Sequence, residues 1–183
     1  MPIKFDLVKY KNSVFVETGT YRGASVLSAI EAGFDRIYSI EIDDQLYEEA
    51  RQRFADYITS GKVILLHGDS AQKLPEIIER EKELCTFWLD AHSQKFNFDN
   101  ETLGAENCPI FFELDTIAKS GRNDHTILID DVRLIKNKNA WRGHNVTLEG
   151  VIEKLRAINP DYTLQYEPGH IEDDVLVATA SPN

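Results

Sequence analysis

The sequence has little that would tie it to a membrane, to nucleic acid or to an oxidising compartment. Only two cysteines occur, Cys85 and Cys108, and we expect both to be reduced thiols. Lys and Arg number 20 against 31 Asp and Glu, and this net charge of −11 disfavours binding to phosphate backbones or to anionic lipid. No window holds the roughly 18 apolar residues of a membrane span, and the first residues have no signal-peptide core. We therefore expect a cytoplasmic protein that binds neither nucleic acid nor membrane.

Short apolar runs and longer segments with helical spacing alternate along the chain. The length of 183 residues suits a single domain, which we expect to cover residues 1–183. The predicted strands are Val14–Glu17, Arg36–Glu41, Val63–His67, Cys85–Asp90 and Thr126–Asp130. The predicted helices are Ser25–Ala32, Gln45–Tyr57, Ala71–Glu83, Ile110–Ser120 and Leu148–Ile158. This alternation predicts an α/β domain with a mostly parallel sheet.

The pattern changes after the last predicted helix. Tyr162–Tyr166 and Val175–Ala180 are both typical of strands, and no helix is predicted between them. Pro168–Gly169 lies in their connection, where these residues favour a turn. The two stretches therefore predict an antiparallel hairpin at one edge of the sheet.

Carboxylates follow nearly every predicted strand. They are Glu17, Glu41 with Asp43, Asp69, Asp90, and Asp130 with Asp131. The carboxyl ends of parallel strands meet at the edge where open α/β sheets bind ligands. Carboxylates crowded there repel one another unless a cation or several donors compensate. Capping of the following helices by Asp44, Ser70 and Asp69 is an alternative explanation for part of the set.

A loop with two glycines, Glu17-Thr18-Gly19-Thr20-Tyr21-Arg22-Gly23, joins the first strand to the first helix. Tyr21 stands where the dinucleotide motif G-x-G-x-x-G requires glycine, which disfavours a nicotinamide-dependent oxidoreductase. Glu41 follows about 20 residues later, where a carboxylate accepts ribose hydroxyls, and Asp69 is placed to bind an adenine amino group. An acidic edge repels a pyrophosphate and attracts a sulfonium and an ammonium. The residues therefore favour S-adenosylmethionine as the ligand.

The runs V-F-V-E-T-G-T-Y-R-G, Y-S-I-E-I-D, H-G-D-S, F-W-L-D-A-H and I-L-I-D-D resemble the class I S-adenosylmethionine-dependent methyltransferases. Among them, E-T-G-T-Y-x-G and W-L-D-A-H are similar to a group of small bacterial and viral methyltransferase-like proteins. The resemblance implies a Rossmann-like, seven-stranded, mostly parallel sheet with helices on both faces and a C-terminal antiparallel hairpin. By position it implies that the cofactor is bound by Glu17, Gly19, Thr20, Gly23, Glu41, Asp69, Ser70 and Asp90.

A second resemblance concerns the magnesium-dependent O-methyltransferases of the catechol and macrolide-sugar types. In these enzymes one ligand ends the fourth strand and an adjacent pair ends the fifth. The resemblance implies a Mg²⁺ site here at Asp90, Asp130 and Asp131. The alternative is that Asp90 binds cofactor or backbone while Asp131 caps a turn. We also expect Asp90 and His92 to be the catalytic residues, with His92 as the base.

Two connections are predicted to face the acceptor. The first, Ala91–Cys108, is long enough for a lid. The second is the basic stretch Val132–Lys138 with Trp141–Gly143, which would bind an anionic or sugar-containing acceptor or else be a solvated surface loop. The predicted function is S-adenosylmethionine-dependent O-methylation of a sugar or metabolite hydroxyl. The alternative is a non-catalytic S-adenosylmethionine-binding or regulatory protein, because we expect no inserted cap or helical extension to enclose an acceptor. A homodimer could supply that wall.

Overall fold

The computed structural model describes residues 5–92, 108–137 and 146–181. Its strands are β1 (Val14–Thr18), β2 (Arg36–Glu41), β3 (Val63–His67), β4 (Cys85–Leu89), β5 (Thr126–Ile129), β6 (Thr163–Glu167) and β7 (Val175–Thr179). Its helices are α1 (Ala24–Ala32), α2 (Asp44–Arg53), α3 (Ala55–Thr59), α4 (Ser70–Arg80), α5 (Ile110–Ala118), α6 (Val132–Lys136) and α7 (Leu148–Ile158). A short 3₁₀ helix, Leu7–Tyr10, precedes β1.

The seven strands form one sheet in the order β3–β2–β1–β4–β5–β7–β6. β1 to β5 are parallel, β7 runs antiparallel to β5, and β6 pairs antiparallel with β7. The predicted sheet and its terminal hairpin are therefore confirmed. The strand order changes direction between β1 and β4, which is where open α/β sheets place their ligands.

The sheet is buried on both faces. Alternate residues of β4 point into different apolar clusters: Phe87 and Leu89 pack with α4, α5 and α7, whereas Trp88 packs with α1 and α2. The two buried faces explain why the strands are continuous apolar runs in the sequence. Cys85 and Cys108 are both buried and are not joined by a disulfide bond.

The prediction of one helix over Gln45–Tyr57 is wrong. Phe54 interrupts it with φ −105° and ψ 18°, so that α2 ends and α3 begins there. The Phe54 side chain is buried, and its ring lies directly beneath Gly23. Burial of one aromatic ring under the glycine loop therefore outweighs the continuity of the helical pattern.

One helix cap differs from the prediction by one residue, and another agrees with it. Asp43, rather than Asp44, caps α2 by accepting hydrogen bonds from the Gln45 and Leu46 amides at 2.9 and 3.0 Å. At α4 the cap is Asp69, which accepts from the Ala71 amide. The acids after β2 and β3 therefore do include helix caps.

The stretch after β5 is not a loop throughout. Val132 and Ile135 are buried, and their contacts support the helical turn α6. The rest of the predicted basic loop, 138–145, and most of the predicted lid, 93–107, lie outside the described residues. No helix within the described ranges is long and apolar enough to cross a membrane.

Candidate active site

The glycine loop between β1 and α1 packs against the ends of two neighbouring strands. Gly19 has φ +87°, and a Cβ atom built there would lie 2.5 Å from the carbonyl oxygen of Asp90 at the end of β4. The amides of Gly19 and Thr20 donate to the Ile40 carbonyl of β2 at 3.0 and 3.1 Å. Glycine is therefore needed at position 19 for both its backbone angle and its close approach to β4.

Glu17 lies beneath this loop with no exposed surface. It accepts a hydrogen bond from Ser25 and another, at 2.5 Å, from Ser39, whose hydroxyl also lies 2.6 Å from that of Thr20. Burial raises the pKa of Glu17 to about 8, although the Ser39 hydrogen bond opposes the shift. The structure thus places Glu17 and Thr20 in one buried network under the loop, and their contact with a cofactor stays a prediction.

Glu41, at the end of β2, holds the tip of the glycine loop. Its Oε2 accepts from the Tyr21 amide at 2.7 Å, and its Oε1 accepts from the amides of Ile42 and Asp43 at 2.9 Å. Tyr21 has φ +47°, a left-handed backbone conformation that residues other than glycine rarely adopt. Burial raises the pKa of Glu41 against the opposing effect of these backbone donors. Glu41 therefore shapes the loop, and its binding of a ribose stays a prediction.

Ser70, which follows the helix cap Asp69, contacts a buried carboxyl group that was not predicted from the sequence. Glu113 of α5 is 1% exposed and is hydrogen-bonded by Ser70 and Thr18. Burial raises its pKa to about 7, although these two bonds lower it. The sequence does contain a signal for this buried acid. Glu113 falls at the i+3 position of an i, i+3, i+4, i+7 pattern in α5, and the other three positions, 110, 114 and 117, are all buried hydrophobics.

His92 joins the ends of β4 and β5. Its Nδ1 lies 3.2 Å from Oδ1 of Asp90, and its Nε2 lies 2.6 Å from Oδ2 of Asp131. Burial raises the pKa of Asp90 well above its usual value, and the charges of Asp130 and Asp131 add to this effect. Burial acts in the same direction on Asp131, but His92 and Arg133 outweigh it and lower the pKa of Asp131. The predicted residues Asp90, His92 and Asp131 are thus brought into one cluster.

A second group lies beside this cluster. Asp130 accepts from the Asp131 amide at 2.7 Å, and burial raises the pKa of Asp130 to about 6. The guanidinium of Arg133 bonds both Asp131 and Asp174. Asp174, fully buried just before β7, also accepts from the amides of Arg133 and His170 at 3.0 and 3.2 Å. Asp174 has no predicted role. The basic stretch that contains Arg133 is predicted to bind an anionic or sugar-containing acceptor or to be a solvated loop, whereas Arg133 bonds two carboxylates of this chain.

Two sets of side chains within the described ranges bring three metal-ligand atoms within 4.8 Å of one another. One set is Asp90, His92 and Asp131, and the other is Asp130, Asp131 and Asp174. The predicted trio of Asp90, Asp130 and Asp131 is divided between them. Both sets share Asp131, whose two oxygens already contact His92 and Arg133.

Comparisons with known proteins identify the fold. No protein-family model and no curated protein sequence matches the chain. An O-methyltransferase from Bacillus cereus, solved with SAH, superposes with a TM-score of 0.65 at 18% identity, over 96% of this chain and 77% of that chain. The SAH-bound methyltransferase PaMTH1 from Podospora anserina gives 0.61 at 17% identity, over 96% and 75%. TomG, an O-methyltransferase from Streptomyces achromogenes solved with SAM, gives 0.58 at 17% identity, over 96% and 76%. The chain therefore has the Rossmann-like fold of the class I methyltransferases.

Proposed function

We propose that this protein is an S-adenosylmethionine-dependent methyltransferase that methylates a hydroxyl group of a small acceptor, such as a sugar or another metabolite. The observation that carries the proposal is the packing of the glycine loop on β4, with the Cβ position of Gly19 only 2.5 Å from the Asp90 carbonyl. This packing puts the loop expected to hold the methionine end of the cofactor directly beside Asp90 and His92. The structural similarity to O-methyltransferases solved with SAH and SAM supports the same assignment.

The cofactor side is expected to consist of the residues after β1, β2 and β3. Each oxygen of a carboxylate can accept two hydrogen bonds, so Glu41 Oε2, which has one backbone donor, retains capacity for a ribose hydroxyl. Gly19 and Gly23 let the loop pack closely on β4 and on the Phe54 ring, and Asp69 with Ser70 begins α4 where the adenine would lie. Bound S-adenosylmethionine supplies an electrophilic methyl carbon that the acceptor oxygen attacks in line as the carbon–sulfur bond breaks.

His92 is the proposed base on the acceptor side. Its contact with Asp131 is short, so Asp131 orients the ring and stabilises the imidazolium that forms when His92 takes the hydroxyl proton. Its contact with Asp90 is longer, at 3.2 Å, and is the one that an acceptor hydroxyl would replace. Correct positioning of the acceptor beside the cofactor supplies the rest of the catalysis.

The Mg²⁺ prediction assigns Asp90, Asp130 and Asp131 as ligands. Mg²⁺ requires a near-octahedral set of oxygen ligands, whereas Asp131 already bonds His92 and Arg133 in this structure. The arrangement does not fit the ion unless one of these partners moves. We therefore assign no step of the reaction to a metal.

Calorimetric titration of S-adenosylhomocysteine, with and without Mg²⁺, tests the proposal. We expect the wild-type protein to bind, and Glu41→Ala to lower its affinity by about tenfold or more, equivalent to 1.4 kcal/mol. The matched control is Glu49→Ala, which removes an exposed acid from α2 and should leave the affinity unchanged. Absence of binding by the wild-type protein would contradict the proposal, and affinity that increases with Mg²⁺ would support the three-aspartate site.

The non-catalytic alternative is distinguished by turnover. Transfer of a labelled methyl group to a panel of sugars, phenols and amino alcohols should be detected with the wild-type protein and lost in His92→Gln, while S-adenosylhomocysteine binding is retained. Binding without transfer to any member of a broad panel would favour the binding protein.

A further inference from the structure

A narrow cavity opens beside His92, between the end of β4 and the start of α5. Its enclosed part has a volume of about 10 Å³, which is room for a group about the size of one water molecule, and the space that includes the open mouth is about 240 Å³. Its apolar walls include Leu89, Ile110 and Ile135, and its polar groups are His92, Glu113 and Asp130. The enclosed part is therefore suited to one small polar group, and any apolar part of the same ligand would lie in the open mouth.

Glu113 is the polar group of this cavity that the proposed reaction does not use. The carboxyl is 1% exposed and is hydrogen-bonded by Ser70 and Thr18. Its Oε1 atom is buried and has no hydrogen-bond partner within the part of the chain that the structure describes. A buried carboxyl oxygen without a donor is unfavourable, so the binding of a ligand that donates a hydrogen bond to this oxygen is favoured.

The charges around the cavity decide which kind of donor fits. Asp130 also lines it, and Asp90 contacts the His92 ring on its wall. Carboxylates so close to one another repel an anion and attract a cation. Among small donors, an ammonium group satisfies both the hydrogen-bonding need of Glu113 and the charge of its surroundings.

We propose that Glu113 binds the ammonium group of a small amine-bearing acceptor, with the apolar part of that acceptor packed against Ile110 and Ile135. The identification of this ligand as the acceptor rests on the proposed function, whereas the binding of an ammonium group at Glu113 does not. The acceptor class becomes an amino alcohol or an aminoalkyl phenol rather than an acidic or neutral sugar. Such a molecule would present its hydroxyl to His92, which lines the same cavity.

Three probes that share one ring and differ in charge test this inference: benzylammonium, benzyl alcohol and benzoate. Each is titrated into the full chain, with and without saturating S-adenosylhomocysteine, and binding is followed by NMR chemical shifts. We expect benzylammonium to bind about tenfold or more tightly than benzyl alcohol, and benzoate to bind most weakly. Glu113→Gln, which keeps an oxygen to accept from Ser70 and Thr18, should remove the preference, whereas Glu113→Asp should retain part of it.

The matched control is Asp115→Asn on the same helix. Asp115 is exposed and pairs with Lys154 at 2.6 Å, so this change removes one negative charge without touching the cavity and should leave the preference intact. Thermal unfolding of each variant verifies that it is folded. If Glu113→Gln does not fold, the titrations of the three probes into the wild-type protein decide whether the cation preference exists.

The inference is overturned if wild-type protein shows no binding of benzylammonium or no preference for it. It is also overturned if the preference survives in Glu113→Gln, or if that variant loses S-adenosylhomocysteine affinity by the same factor, because Glu113 would then belong to the cofactor side. A wild-type protein that binds S-adenosylhomocysteine without the cation preference refutes this inference alone. A wild-type protein that shows the cation preference but does not bind S-adenosylhomocysteine refutes the proposed function and still supports the ammonium site.

Discussion

Substitution of Glu17 by Gln tests whether the carboxyl beneath the glycine loop is protonated in the folded protein. Glu17 has no exposed surface, and its partners Ser25 and Ser39 are neutral hydroxyls. Burial raises its pKa from 4.5 to about 8, so near neutral pH the folded protein holds a proton that the unfolded chain releases. Gln has nearly the same shape as the protonated side chain and does not titrate.

The sign and size of the effect follow from proton linkage. Because the folded state binds the proton more tightly, the contribution of Glu17 to stability is fully present below pH 4.5 and is lost as the pH rises toward 8. With these two pKa values the loss between pH 5 and pH 7 is about 2–3 kcal/mol. The free energy of unfolding of Glu17→Gln minus that of the wild type should therefore increase by about 2–3 kcal/mol over this interval.

Urea unfolding at pH 5, 6 and 7 measures this difference. The extra N–H of Gln adds a constant offset at every pH and does not alter the slope. Glu31→Gln, at an exposed position of α1, is the matched control and should show no such trend. A difference that stays constant to within about 0.5 kcal/mol, the usual effect of a surface change, would mean that Glu17 is ionised in the folded protein.

Two further predictions concern backbone geometry and buried charge. Gly19→Ala should destabilise the protein more than Gly61→Ala. Both positions have positive φ, which costs about 1–2 kcal/mol for alanine, but only the Cβ atom at position 19 would meet a backbone oxygen at 2.5 Å. Equal losses in urea unfolding would refute the role of the close approach. Arg133→Met should cost about 3 kcal/mol because it leaves the carboxylate of Asp174 buried without its cation, whereas Lys154→Met, which removes an exposed pair, should cost less than about 1 kcal/mol. Similar costs for the two variants would contradict the stabilising role of the Arg133–Asp174 ion pair.

Most of the fold could be predicted because its signals are local. The bounds of β2, β3 and α7 agree with those expected from apolar runs and helical spacing. The split between α2 and α3 could not be predicted, since it depends on where the Phe54 ring finds space beneath Gly23. The capping of α2 by Asp43 rather than Asp44 likewise depends on which carboxylate reaches the free amides.

The sequence by itself determined the alternation that produces a parallel sheet, the terminal hairpin, and the carboxylates that follow nearly every strand. Only the tertiary structure decided how those carboxylates are paired. Asp174 reaches the site because β7 runs antiparallel to β5, and it meets Arg133 across 41 positions of sequence. Glu113 becomes significant because α5 buries one of its oxygens with no donor among the described residues, and because Glu113 and His92 line the same cavity. Strand order and burial are properties of the folded chain, and they decide which charges and hydrogen-bond donors surround the groups in the site.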